Sequence, residues 1–310
     1  MEHGITAIDT GFFRPVFDAS HLIVERGRAA FVDVGTNHSV PDLLAELQRQ
    51  GVPREAVDWI ILTHVHLDHA GGAGELLRHL PSARVWLHPR GVRHMVDPTQ
   101  LVAGAAAVYG ADVVQRTYGT LRPIPRERIV EAGDGDVIEL AGRPLRALDT
   151  PGHARHHIGI WDEASRAFCP GDTFGLSYRE FDGPNGPFIL PTTSPVQFEP
   201  EALRASIERM LGFDPQAMYL THYSRIGDVA RLGAELIEQI AAMTAIARAA
   251  DGLADRHERI KVGLADLYVT RAAAHGCDLP AQRIRELLAM DIELNAQGLG
   301  IWLDRGRREG

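Results

Sequence analysis

Residues 63–72, THVHLDHAGG, place three imidazoles and one carboxylate close together: His64, His66, Asp68 and His69. Imidazole nitrogen and carboxylate oxygen are donors suited to zinc, iron or manganese. One intervening residue lets the His64 and His66 rings converge on one ion. Asp68 and His69 are adjacent, so they diverge toward a second ion a few ångströms away. A polar turn with one or two structural histidines is the alternative; it suits a lone histidine better than this spacing. The apolar run before the loop, VDWIIL over 57–62, reads as a buried strand. Behind it, Gly71, Gly72 and Gly74 let the backbone pass close to a bound ion before an amphipathic helix starts at Glu75. The loop thus sits at the C-terminal end of a strand, where α/β sheets commonly bind ligands.

This run resembles the metal-binding signature of the metallo-β-lactamase superfamily. Three later segments match that family's remaining ligands in order: His153 in TPGH, Asp172 in GDT and His222 in LTHY. The resemblance covers about residues 5–225. It implies an α/β (α+β) fold, the αββα sandwich, holding two divalent ions, zinc foremost with iron or manganese as alternatives. His64, His66 and His153 would bind one ion and Asp68, His69 and His222 the other, with Asp172 bridging. Asp33, in Asp33-Val34-Gly35-Thr36, would support the histidine loop from behind by hydrogen bonding, and His157 would do the same. A water shared by two such ions has its pKa lowered from about 16 toward 7, so a bridging hydroxide could attack a carbonyl or phosphoryl centre. Asp68 and Asp172 are then the expected catalytic acids, with Asp68 orienting the nucleophile and passing a proton onward. No GxSxG, P-loop or GxGxxG segment offers a competing nucleophile or phosphate cradle.

The elements that must position these groups can be read around them. Strands are expected at Ile5–Ile8, Ser20–Glu25 and Ala29–Asp33, the last two joined by the turn Arg26-Gly27-Arg28. A helix over 39–50 would be capped by Ser39 and stopped by Gly51, and residues 92–120 are mostly helical. Further strands end at Thr150-Pro151-Gly152-His153, at Gly171-Asp172 and, after Ala217–Leu220, at His222, so four strand ends aim acids and imidazoles at one place. Residues 174–198 are rich in Gly and Pro and lack a period, which predicts a lid or pocket wall. Tyr178 and Arg179 there, with Tyr223 beside His222, are the expected substrate contacts. From Asp228 only helical stripes follow. Domains are therefore expected over 1–227, catalytic, and 228–310, a helical C-terminal region able to cover a cleft or form a homodimer.

Composition bounds the function. The chain has 310 residues, 45% hydrophobic and 24% charged, as in ordinary globular proteins. Its formal charge is −9, with one short basic stretch at residues 305–308, which argues against a nucleic-acid partner. The two cysteines, Cys169 and Cys277, stand in no paired motif. The opening MEHGITAIDTGF lacks a signal-peptide pattern, and no run reaches membrane-spanning length, so a cytoplasmic protein with a small-molecule substrate is expected.

Superfamily members cleave thioesters, lactones, β-lactams and phosphodiesters, and some carry redox chemistry on iron. The helical segment after the catalytic region looks like glyoxalase II and like the quinolone-signal thioesterase; GHARHHIGIWDEASRAFCPGDTFGLSYREFD is similar in layout to the latter. Where glyoxalase II continues into Gly-Cys-Gly-Arg, this chain has GDTFGLSY, a departure that removes the usual glutathione signal. The expectation is a dinuclear-metal hydrolase of a small carboxylic thioester, ester or lactone. The alternatives are a β-lactamase or phosphodiesterase, an iron-dependent oxidoreductase, or a regulatory binding protein that retains the metal site.

Overall fold

The computed structural model describes residues 3–193 and 196–309; Ser194 and Pro195 of the 174–198 segment lie outside the described residues. The chain forms two compact units. The first comprises Met1–Asp149, His156–Gly171 and Pro215–Arg225, the second Thr150–Arg155, Asp172–Asp214 and Ile226–Gly310.

The first unit is built on two six-stranded sheets. One runs in chain order: β1 (Ile5–Asp9), β2 (Ala19–Glu25), β3 (Arg28–Val32), β4 (Val57–Leu62), β5 (Arg84–Leu87) and β6 (Ile129–Glu131). β2 and β3 form a hairpin through Arg26 and Gly27, both at positive φ, the two-residue turn whose twist matches right-handed strands. From β3 to β6 the pairing is parallel, which requires crossover connections. The helix Val40–Arg49 supplies one and Ala73–Arg78 another, while Pro89–Val96, Thr99–Tyr109 and Ala111–Tyr118 lie between β5 and β6. Ser39 does not cap the first of these with its side chain. Its hydroxyl lies 2.6 Å from the carbonyls of both Val34 and Thr36, so it fastens the β3 exit loop instead. A cap would need the Ser39 oxygen to accept a helix N–H, and here the hydroxyl is turned away to donate to these carbonyls.

The second sheet holds β7 (Val137–Leu140), β8 (Arg143–Asp149), β9 (Ile158–Asp162), β10 (Ala167–Cys169), β11 (Ala217–Leu220) and β12 (Ser224–Ile226), paired in the order 12-11-10-9-8-7. Ile23, Val32, Ile61 and Trp86 of the first sheet pack with Leu140, Leu145, Ile158 and Ile160 of the second, so the two sheets face each other across one core. The outer face of the first sheet meets its helices through Leu43, Leu47, Leu76 and Leu77.

His21 on β2 is buried in this core, edge-on to Tyr219 with ring centroids 5.6 Å apart; its Nε2 has no hydrogen-bond partner among the described residues. Burial pushes its pKa down to about 4, against an upward pull from Asp33. The unfolded chain therefore binds this proton below pH 6.5 while the folded chain does not, so stability present above pH 6.5 is lost as pH falls toward 4. His21→Leu removes that sensitivity. In paired denaturant melts the wild-type protein should lose on the order of 3 kcal/mol more than the variant between pH 7 and 4. Parallel losses would refute this.

The second unit gathers the helices Pro200–Leu211, Val229–Ala250, Arg256–His275, Ala281–Leu287 and Ala289–Glu309. The stripes expected from the sequence, among them Leu232, Leu236, Ile240, Ile260, Leu264, Ile284 and Ile292, are buried. The stretch after Asp172 packs within this same unit: Phe174, Leu176, Phe181, Phe188 and Leu190 are buried, and Leu176 bridges to Leu190. Asn295, on the last helix, accepts the Thr193 N–H at 2.8 Å and donates to the Tyr268 hydroxyl at 2.8 Å.

Candidate metal centre

β4 ends at Leu62 and delivers Thr63 and His64 directly, with the Thr63 carbonyl accepting the Ile158 N–H at 2.8 Å. The chain then turns into the short helix Leu67–Ala70, which carries Asp68 and His69 on its first turn. Gly72 follows because a Cβ there would lie 2.5 Å from the Thr36 carbonyl oxygen. The loop is therefore closed by a backbone approach that only glycine permits.

Asp33 is the hub behind this loop. It leaves β3 at φ +49°, a conformation that Asp tolerates better than most residues. Its Oδ1 accepts the Thr63 N–H at 2.9 Å, and the Thr63 hydroxyl lies 2.8 Å from Oδ2. Oδ2 also accepts from the Thr221 hydroxyl at 2.9 Å and from His69 Nδ1 at 2.8 Å. One fully buried carboxylate thus joins two segments that bear candidate ligands, the histidine loop and the stretch before His222.

These bonds also decide which ring nitrogen each histidine presents. A carboxylate only accepts, so His69 carries its proton on Nδ1 and offers the Nε2 lone pair. His222 Nδ1 donates to the Phe17 carbonyl at 3.0 Å and likewise offers Nε2. His64 Nδ1 lies 3.1 Å from the Thr63 hydroxyl, whose own proton goes to Asp33, leaving Nε2 again. His66 turns the other way: its Nδ1 faces His64 Nε2 at 2.8 Å. Asp68 completes the group, with Oδ2 3.6 Å from His222 Nε2 and 3.9 Å from His69 Nε2. Asp68, His69 and His222 satisfy the spacing of a three-ligand metal site.

In the second unit His153 follows the same rule. Its Nδ1 lies 3.4 Å from the Thr192 carbonyl, and its Nε2 lies 3.4 Å from Asp172 Oδ2. His157 stacks on His64 with centroids 4.8 Å apart. Gly171, at φ +50°, is held between that ring and Thr63, since a Cβ there would lie 2.6 Å from His157 Nε2 and from Thr63 Oγ1. Donors of this type, aimed by fixed tautomers and buried, fit divalent transition ions.

Two of the three residues expected to touch substrate bond within the second unit. Tyr178 is 2% exposed and its hydroxyl donates to Asp291 at 3.1 Å, inside the second unit. Arg179 folds back on the Ser177 carbonyl at 2.8 Å and pairs with Asp182 at 3.2 Å. Tyr223 is half-buried directly after His222.

Sequence reasoning overlooked Asp18 and gave Thr63 and Thr221 no role. Asp18 is fully buried, and burial raises its pKa to about 7 even though His222 and His69 pull it down. The available signal was an acid flanked by Phe17 and Ala19 at the entrance to a buried strand.

Comparison with known proteins agrees with this geometry. A family model described as the metallo-beta-lactamase superfamily matches residues 14–222. The metallo-beta-lactamase fold-containing protein ST1585 of Sulfurisphaera tokodaii is 26% identical over 194 residues, 62% of this chain and 67% of that protein. A hydroxyacylglutathione hydrolase of Acidiphilium cryptum is 28% identical over 233 residues, 75% of this chain and 74% of the relative. Among solved structures, ST1585 superposes with a TM-score of 0.69 at 22% identity, covering 96% of this chain and 98% of its own. The metallo-beta-lactamase family protein TTHA1429 of Thermus thermophilus gives 0.65 at 23% identity, covering 93% of each chain. These two superpositions establish likeness of fold.

Proposed function

The chain belongs to the metallo-beta-lactamase superfamily, and from that membership we propose that it is a two-metal hydrolase of a small carboxylic thioester, ester or lactone. The observation that carries this reading is the set of pinned imidazoles: His64, His69 and His222 each have Nδ1 satisfied by a protein acceptor and Nε2 left to ligate. His64 and His66 would hold one ion with His153, and Asp68, His69 and His222 the other, with Asp172 shared. Zinc is the first choice, with iron or manganese as alternatives. Such ions, when bound, make a water nucleophilic near neutral pH and polarise the oxygen under attack.

The protein's own groups do the rest. Asp33 keeps His69 in one tautomer and one orientation throughout a turnover. Asp68 is the most exposed acid of the group, its side chain 24% accessible, so it can take a proton from the nucleophile and release it to solvent. The relative named for hydroxyacylglutathione supports acyl groups carried on sulfur as the first substrates to try.

The test is thiol release from a panel of acyl thioesters by protein whose metals have been counted. Asp68→Asn is expected to lower turnover by about 10²–10⁴-fold, the usual value of a positioned proton acceptor. No release from any thioester at full metal occupancy would overturn the thioester reading and move the panel to lactones and simple esters.

A further inference from the structure

The helix Thr99–Tyr109 carries no charged residue, and among its described side chains none is buried. A helix that faces water is ordinarily polar on its open side, so this one is unusual. Leu101, Val102 and Ala105, with Phe12 from the loop between β1 and β2, pack against the buried Leu67, Val114 and Tyr118 yet stay partly open to solvent. Gly110, at φ +89°, turns the chain into the helix Ala111–Tyr118, and the exposed Val108 and Val113 stand on either side of that turn.

This apolar surface is continuous with the candidate ion site by two routes. Leu67 stands between His66 and Asp68 in the ligand run. The Phe12 ring lies 5.8 Å from that of Tyr118 and 5.9 Å from that of Phe17, and Phe17 meets the His222 ring edge to face at 5.5 Å. Phe13, 66% exposed, lies 5.2 Å from Phe17 and carries the surface outward. All of these residues belong to the first unit.

Exposed apolar patches mark binding surfaces, because a ligand that covers them removes hydrocarbon from water. We propose that Phe12, Leu101, Val102 and Ala105 form the wall that receives the acyl chain of the substrate, and that this chain is an aliphatic hydrocarbon of medium length. None of the four side chains can hydrogen-bond, so a small hydroxylated acyl group would leave the wall uncovered and its own hydroxyl unmatched. In a thioester of a polar carrier thiol, the acyl group is the part with hydrocarbon to bury. This rests on the hydrolase reading above and adds the class of acid that the site would release.

The experiment measures kcat/KM of the metal-loaded protein on acetyl, butyryl, hexanoyl and octanoyl thioesters of one thiol. Wild type is compared with Leu101→Gln/Val102→Gln and with Ala105→Glu, which put polar, helix-compatible side chains at partly open positions. In wild type, kcat/KM is expected to rise about threefold for each added methylene. In either variant the ratio of octanoyl to acetyl should fall at least fivefold; a merely structural loss would lower all chain lengths alike and leave that ratio unchanged. The same order should appear without turnover, with 1-octanol binding metal-stripped wild type more tightly than the variants. A flat chain-length profile in wild type, or equal ratios and equal 1-octanol binding in wild type and both variants, overturns the inference and leaves the hydrolase reading standing. A wild-type dimer that Leu101→Gln/Val102→Gln converts to monomer assigns the wall to a second copy and overturns it too. No turnover of any thioester, ester or lactone at full metal occupancy overturns the hydrolase reading and this inference with it.

Discussion

Asp33→Ala is expected to melt on the order of 10 °C below the wild-type protein and to lose the ion assigned to Asp68, His69 and His222. The substitution deletes the acceptor for the Thr63 N–H, His69 Nδ1 and the Thr221 hydroxyl at once. A buried donor left without an acceptor costs about 1–3 kcal/mol. Such losses are not additive within one cluster, so a total on the order of 4 kcal/mol is reasonable for a broken buried network. At about 2–4 °C per kcal/mol for chains of 150–250 residues, that gives the stated shift. The metal effect has a separate cause: without Asp33 the His69 ring can rotate or change tautomer, and such outer partners are worth about 10–100-fold in metal affinity. Thermal melts and metal counting together decide the matter. A variant that melts with the wild type and keeps two ions would show that Asp33 is not the hub.

Removing the metals is expected to have an effect of similar size. Within the first unit His64 lies close to three other imidazoles, with centroids 4.0 Å from His69, 4.4 Å from His66 and 4.8 Å from His157. His64 Nε2 and His66 Nδ1 face each other at 2.8 Å. A proton on His66 Nδ1 can bridge that pair in the absence of an ion, and a bound ion would take its place between the nitrogens. An ion supplied at a thousand times its dissociation constant stabilises the folded state by about 4 kcal/mol. Reconstituting the stripped protein should therefore raise its melting temperature by roughly 10 °C per tightly bound ion. The midpoint should climb with the logarithm of free metal. A melting temperature indifferent to zinc, iron and manganese would remove the support for a metal centre.

Much of this architecture was legible in the residues. The apolar run before THVHLDHAGG is β4, and the predicted hairpin around Arg26-Gly27-Arg28 closes β2 and β3. Spacing singled out His64, His66, Asp68 and His69 as candidate donors because ligation imposes local distances, such as two rings one residue apart, whereas His153, Asp172 and His222 were reached through the family resemblance. Asp33 was accessible through the family resemblance, but its bond to Thr221 spans 188 positions and has no local pattern. Asp18 was hidden for the same reason: its surroundings depend on a His222 bonded to the Phe17 carbonyl 205 positions away. The stretch 174–198 shows a different limit. Its Gly and Pro content correctly denies it a long helix or strand, yet composition cannot reveal that its aromatic residues are buried or that Tyr178 donates to Asp291.

The second unit draws its residues from three separate stretches of the chain. The segments bearing His153 and Asp172 fold together with the last helices, through bonds such as Tyr178 to Asp291 and Thr193 to Asn295. The C-terminal helices therefore share one packed unit with the segments that carry His153 and Asp172. Inherited changes in the final eighty or so residues reach two of the candidate donors through shared packing, without altering any residue of the histidine loop. Divergence among relatives of this kind can accumulate far from the motif that identifies them.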